Sequence, residues 1–248
     1  MLTTELCAYS VEACRVAARC GVTRVELCAS PWEGGTTPSA ATIRRARLVP
    51  GLGLQVMIRP RGGDFCYTDD EVEQMVEEIR FARECGADGV VVGVLTEEGS
   101  VDSERLRRLV AAADGREVTF HRAFDMARDL REALEAVIAC GCRRILTSGG
   151  CNKAPDGIGT LCELVAAADG RIEIMAGSGV DASNARLLAS TGVDALHFSA
   201  RGWCESRMRF RNPRVSMGGV EGVPEYAVAC ADENKIRQIL KELEPFGR

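Results

Sequence analysis

Short apolar runs and longer amphipathic stretches alternate along this chain in a steady rhythm. Eight runs read as strands: 2–8, 23–28, 53–60, 89–95, 117–123, 143–148, 171–176 and 194–199. Between them, apolar positions recur every three or four residues, as in Val72, Met75, Val76 and Ile79, or Leu130, Ala133, Leu134 and Val137. That is the spacing of one buried helix face. The boundaries carry matching signals. Thr68 and Glu71 are spaced as a capping box, and Pro38 suits a helix start. Gly21, Gly86, Gly141 and Gly192 each fall between a helical stretch and the next strand, where a left-handed residue ends a helix. Residues 109–116 recur unchanged at 164–171, a separation that suits a repeated (βα)₂ unit.

Eight strands alternating with helices over 248 residues predict an α/β fold, a closed (β/α)₈ TIM barrel forming a single domain over 1–248. An open doubly wound sheet is the alternative. It would lead with a glycine-rich dinucleotide fingerprint after the first strand, and none is present. One segment breaks the rhythm. Residues 201–230 have no clear period and read as a long loop over the C-terminal mouth, with Trp203, Pro213, Met217 and Gly218–Gly219 in it. A last helix over 232–243 completes the ring.

Parity sorts each strand into a face toward the helices and a face toward the barrel axis. The inward set is Glu5 and Cys7, Glu26 and Cys28, Gln55, Met57 and Arg59, Thr119 and His121, Glu173 and Met175, and His197 and Ser199. The fourth and sixth strands do not sort. Barrels without a site fill this space mainly with Val, Ile and Leu. Here it holds both histidines of the protein, three glutamates and an arginine. Burying charge costs several kcal/mol per unpaired ion, so the polar interior points to function.

Composition narrows the chemistry. A net charge of −5 argues against a nucleic-acid partner. No apolar run is long enough to span a bilayer, and the first residues lack a signal-peptide pattern. A cytoplasmic protein is expected, with its twelve cysteines reduced. Most would serve as small buried hydrophobes. No CxxC pair occurs, which excludes a zinc ribbon.

Two tripeptides are identical, Glu5-Leu6-Cys7 and Glu26-Leu27-Cys28, on the first two strands. They bring two carboxylates and two thiols to one region. The strand-end loops add Arg59, Arg61 and Asp64 around Gly62–Gly63, then His121 with Asp125, then Thr147–Gly150. Gly177, Ser178 and Gly179 follow the seventh strand, and Ser199 and Arg201 the eighth. Glycine-rich turns in those last positions often hold an anion.

The motifs at these strand ends resemble the CutC family of copper-homeostasis proteins over nearly the whole chain. The matches are Glu26-Leu-Cys28 with residues 33–39, then 57–65, 119–125, 145–150, 174–180 and 197–199. The first motif departs mildly from the family pattern at Ala8-Tyr9. The resemblance implies a (β/α)₈ barrel, a homodimer, a cytoplasmic location and Cu(I) binding, with Cys7 and Cys28 as ligands. Chemistry agrees, since Cu(I) prefers thiolate and thioether donors and Met57 adds a third inward sulfur. Three readings follow. The first is copper homeostasis with Cu(I) on Cys7, Cys28 and Met57. The second is an enzyme acting on a small anionic or phosphorylated substrate. Arg59, Arg61, Gly177, Ser178, Gly179, Ser199 and Arg201 would bind its anion, and Glu5, Glu26, His121 and Arg59 would be catalytic. The third is a binding module docking a partner through 201–230.

Overall fold

The computed structural model describes residues 2–215 and 223–247. Eight parallel strands close on themselves in chain order. They are β1 (Thr3–Ala8), β2 (Arg24–Leu27), β3 (Gly53–Met57), β4 (Gly89–Val92), β5 (Glu117–Phe120), β6 (Arg144–Thr147), β7 (Glu173–Gly177) and β8 (Ala195–Phe198). The ring around them is α1 (Val11–Cys20), α2 (Ala40–Arg47), α3 (Asp69–Glu84), α4 (Ser103–Ala113), α5 (Leu130–Ala139), α6 (Ile158–Ala168), α7 (Ala185–Ala189) and α8 (Glu233–Glu242). This is the (β/α)₈ barrel that the alternation predicts.

Local chemistry fixes the element ends as expected. Thr68 and Glu71 exchange both capping-box hydrogen bonds at the start of α3. Gly21 takes the left-handed conformation that ends α1. The repeated segment ends α4 and α6 on left-handed Asp114 and Asp169.

The faces separate as parity predicts. Leu6, Val25, Leu27, Val56, Ile58, Val118 and Phe120 pack outward with the helices in one large apolar core. Inside the barrel, Cys28, Met57 and Val91 form a small cluster with Cys7 and Tyr9 against it. Leu146, Met175 and Ala195 form another. Thus β4 contributes Val91 and β6 contributes Leu146 to the interior.

Below these clusters the interior is ionic. Arg144 is fully buried, donating to Glu173 at 2.7 Å and to the Thr119 hydroxyl at 3.0 Å. Gln55 and Arg144 both reach Glu117.

The segment after β8 corrects the reading of an unstructured loop. Its ends pair as an antiparallel ribbon, β9 (Arg201–Glu205) with β10 (Ala227–Ala231). The two runs are too short and too rich in small residues to show a period. Their pairing joins distant stretches of chain, which no local window detects. Trp203 of β9 stacks on Trp32, with ring centroids 5.6 Å apart and planes 17° apart. The ribbon therefore lies beside the β2–α2 loop at the mouth. Met217 and Gly218–Gly219 lie outside the described residues.

Candidate functional site at the barrel mouth

The parallel register places Glu5 beside Arg24 and His197, and Cys7 beside Glu26. Cys28 follows Glu26 by two residues and so rises one pleat above Cys7. The two sulfurs still approach to 4.0 Å.

Beneath them runs a buried chain of charge. Arg24 Nε donates to Glu5 Oε2 at 2.5 Å, and His197 Nδ1 meets Glu5 Oε1 at 2.8 Å. The other imidazole nitrogen lies 3.6 Å from Glu26 Oε2. Cys28 Sγ is 3.5 Å from that same oxygen. Cys7, Glu26 and His197 offer ligand atoms all within 4.8 Å of one another.

These neighbours sort the protons. Burial pushes the Glu5 carboxyl up, but the His197 hydrogen bond and the Arg24 charge outweigh it and hold it down at about 2. Burial drives Glu26 up to about 8, aided by the Cys7 and Glu5 charges against the opposing His197 charge. His197 is raised well above its usual range by Glu26, Cys7 and Glu5, which together overcome burial. The hydrogen bond from Cys28 lowers the Cys7 thiol well below its usual value, against burial and with help from His197 and Tyr9. Burial, then Cys7, pushes Cys28 far up. The two thiols are thus driven apart, Cys7 toward the thiolate and Cys28 toward the thiol.

The opposite wall is built from β3, β4 and β5. Arg59 is buried at 6% exposure. Its fork donates to the backbone carbonyls of Glu33, Gly35 and Gly63 at 2.6, 3.0 and 2.8 Å. Its guanidinium lies 5.1 Å from the Phe65 ring centroid, and that ring lies 5.0 Å from the His121 ring. His121 Nδ1 accepts the Ala123 N–H at 3.1 Å, which leaves the neutral ring its proton on Nε2. Gly93 permits this placement, since a Cβ there would stand 2.2 Å from His121 Cε1.

Burial, then the Arg59 charge, depresses the His121 pKa to about 3. Below pH 6.5 the unfolded chain takes up a proton that the folded chain refuses, so stability falls as pH falls from 6.5 toward 3. Each pH unit costs about 1.4 kcal/mol. By about pH 5 the wild type is expected to lose roughly 2 kcal/mol more than His121→Gln, read from urea unfolding at each pH. Parallel pH profiles for the two proteins would refute the assignment.

A cavity of about 420 Å³ opens between the two walls. Cys7, Glu26, Met57, Arg59, His121 and His197 line it, with Ser178, Gly179 and Ser199 on the rim. Gly177 packs beneath the rim, close to Leu146 and His197. Arg61 turns away, bound to Glu71 at 2.6 Å and Asp64 at 3.1 Å. Arg201 lies over Tyr9 and Trp32, lining a smaller cleft that Cys7 shares. Glu5 sits too deep to reach the cavity lining. Asp125 does not pair with His121. It accepts from the Thr147 hydroxyl at 2.5 Å and from the Ser148 and Gly150 amides at 3.0 Å, tying the β5 and β6 ends together.

Sequence reasoning missed Arg24 and Phe65. Arg24 shares the inward parity of Glu26, so the signal was present at the strand's first residue. Phe65 lies in a loop, where strand parity gives no direction, and its one signal was its place at the end of the 57–65 motif.

The CutC family model matches residues 2–202. A family protein CutC of Bacteroides thetaiotaomicron is 50% identical over 224 residues, 90% of each chain. One from Klebsiella pneumoniae is 47% identical over 226 residues, 91% of each chain. The crystal structure of CutC from Streptococcus agalactiae, provisionally described as a copper homeostasis protein, superposes with a TM-score of 0.76 at 37% identity. That match covers 80% of this chain and 99% of the other. Phosphoribosyl anthranilate isomerase from Thermotoga maritima shares the fold alone, at 16% identity and a TM-score of 0.60, over 99% of this chain and all of its own. With its motifs, its barrel and these relatives in agreement, the chain belongs to the CutC family.

Proposed function

We propose that this protein serves copper homeostasis in the cytoplasm by holding Cu(I) between Cys7 and Cys28. The sulfur separation carries the reading. With metal–thiolate bonds of about 2.3 Å, as zinc has, a gap of 4.0 Å corresponds to an S–Cu–S angle of about 120°. That is a bent pair with room for a third donor. Met57 belongs to the same interior cluster as both thiols, and its thioether suits Cu(I). No disulfide joins the twelve cysteines among the described residues, which fits a reducing compartment.

Both sulfurs must be deprotonated to bind, and Cys28 is the one held toward the thiol, so affinity rises with pH. An anaerobic competition against a Cu(I) chelator should show one tight equivalent, its Kd falling as the pH rises. Failure to compete with the chelator at any pH would end the proposal.

A second reading is favoured by one observation. Arg59 is buried in the mouth, and no carboxylate pairs with it among the described residues. A Cu(I) carrier has no use for that charge, whereas an enzyme for a small anionic substrate has.

A further inference from the structure

The wall that carries the dithiol pair holds a second set of donors, which Cu(I) does not use. β1 lies between β8 and β2 in the closed barrel. Cys7, Glu26 and His197 therefore come from three adjacent strands. Their sulfur, oxygen and nitrogen ligand atoms all lie within 4.8 Å of one another. His197 is aimed by its neighbours. Its Nδ1 stands 2.8 Å from Glu5 Oε1, and Arg24 holds the other Glu5 oxygen at 2.5 Å. Glu5 thus accepts the Nδ1 proton and leaves Nε2 as the coordinating nitrogen of the neutral ring. Glu26 is 3% exposed, and its Oε1 has no hydrogen-bond partner. Its Oε2 stands 3.6 Å from His197 Nε2, beyond normal hydrogen-bond length. Buried carboxylates are paired or coordinate metals, and Glu26 has no cation at contact distance.

We propose that Cys7, Glu26 and His197 form a three-donor site for a divalent cation of the zinc class, with one coordination position open to the cavity. The donor set selects the ion. Zinc accepts thiolate, imidazole and carboxylate together in a tetrahedron. Magnesium and calcium call for oxygen ligands, and Cu(I) for a second sulfur. One thiolate and one carboxylate offset both charges of the ion. Bonds of about 2.0–2.2 Å to nitrogen and oxygen, at the tetrahedral angle, set those donors about 3.4 Å apart. The separation of Nε2 and Oε2 is 3.6 Å. Glu5, hydrogen-bonded to His197, supplies the outer carboxylate that metal-binding histidines ordinarily have. Cys28 stays outside the group of three, so the fourth position is left to a small molecule. All three donors line the cavity of about 420 Å³, which gives the ion a way in. Three protein ligands and an open position are the pattern of a reactive zinc site, whereas a structural one is closed by four. The site goes beyond the Cu(I) reading and shares only Cys7 with it.

The probes are zinc chloride and cobalt(II) chloride, titrated into the reduced full chain without oxygen. Calorimetry should show one equivalent of zinc. Cobalt(II) should give a thiolate charge-transfer band in the near ultraviolet and the intense visible bands of a four-coordinate ion. Losing a group that only orients a ligand costs about 10–100-fold in affinity, which is the effect expected of Glu5→Gln. Glu26→Gln and His197→Gln each remove a ligand and should weaken zinc by at least the upper end of that range. If His197→Gln fails to fold, Glu26→Gln decides. Cys7→Ser should abolish the charge-transfer band. Cys28→Ser should cost zinc far less than Glu26→Gln does, and Cu(I) far more. Unchanged zinc affinity in Glu26→Gln overturns the site, as does a bound cobalt ion without the charge-transfer band. Equal zinc losses in Cys7→Ser and Cys28→Ser, with Glu26→Gln unaffected, would give the ion to the thiol pair and overturn the triad. Zinc held as expected by a chain that fails to bind Cu(I) sustains the triad and ends the copper reading alone.

Discussion

Replacing Cys7 and Cys28 together by serine is expected to abolish tight Cu(I) binding. Removing a group that merely orients a metal ligand costs about 10–100-fold in affinity, so losing both thiolates should exceed that range. Serine keeps the size of the side chain, and the wall they form includes Met57 and Val91, which remain. The fold should therefore survive. The two single variants should not be equivalent. Cys7→Ser removes the sulfur whose thiolate its neighbours favour. Cys28→Ser removes the sulfur that burial and Cys7 hold toward the thiol. The pH dependence of binding should thus be weaker in Cys28→Ser than in Cys7→Ser. The ten remaining cysteines act as an internal control. Cys14, Cys20, Cys85, Cys140 and Cys142 are buried in the apolar core beneath the helices. Wild-type stoichiometry and affinity in the double variant, under anaerobic chelator competition, would sink the copper reading.

The barrel was legible because its strands alternate with capped helices, and each local signal agreed with the global fold. Parity then placed Glu5, Cys7, Glu26, Cys28, Met57, Arg59, His121 and His197 on the inner face. What parity could not supply was height along the axis. The register sets Cys7 beside Glu26 rather than beside Cys28, and only the side-chain geometry shows the sulfurs meeting. It also sinks Glu5 below the cavity. β4 and β6 failed to sort for a physical reason. Val90, Val91 and Val92 are buried in both directions, so apolarity carries no directional signal there. The arginines near the third strand's end illustrate another limit. Arg59 and Arg61 look alike in sequence, yet Pro60 and two glycines follow one another between and after them. The turn sends Arg59 into the wall and Arg61 out to Glu71. The ribbon of β9 and β10 was invisible because its pairing is non-local.

The proposed Cu(I) pair and the buried Arg59 and His121 share one cavity but stand on different walls. The thiols stand on β1 and β2, whereas Arg59 and His121 end β3 and β5. That division explains why a polar interior larger than any Cu(I) carrier needs can coexist with a soft pair. It also separates the tests, since each wall can be altered alone.

Arg24→Met is expected to destabilise the fold by about 3–5 kcal/mol, the usual cost of stranding a buried charge. Glu5 has no exposed surface, and its side chain is shared between Arg24 and His197 alone among the described contacts. Removing Arg24 leaves a carboxylate with one partner in a medium that solvates it poorly. Methionine fills the stem's volume, so the loss should be electrostatic rather than a cavity. The companion change tests this directly. Glu5→Gln abolishes the negative charge yet keeps an oxygen that can accept from His197. The double variant, Arg24→Met with Glu5→Gln, should therefore be more stable than Arg24→Met alone. Additive losses in urea unfolding would show that the pair does not act as a unit. The same variants reach the thiols through His197. Glu5 helps raise the His197 pKa, and His197 in turn helps lower that of the Cys7 thiol. Glu5→Gln should slow alkylation of Cys7 at neutral pH even where the fold is intact, because the base of the ion chain sets the charge at its top.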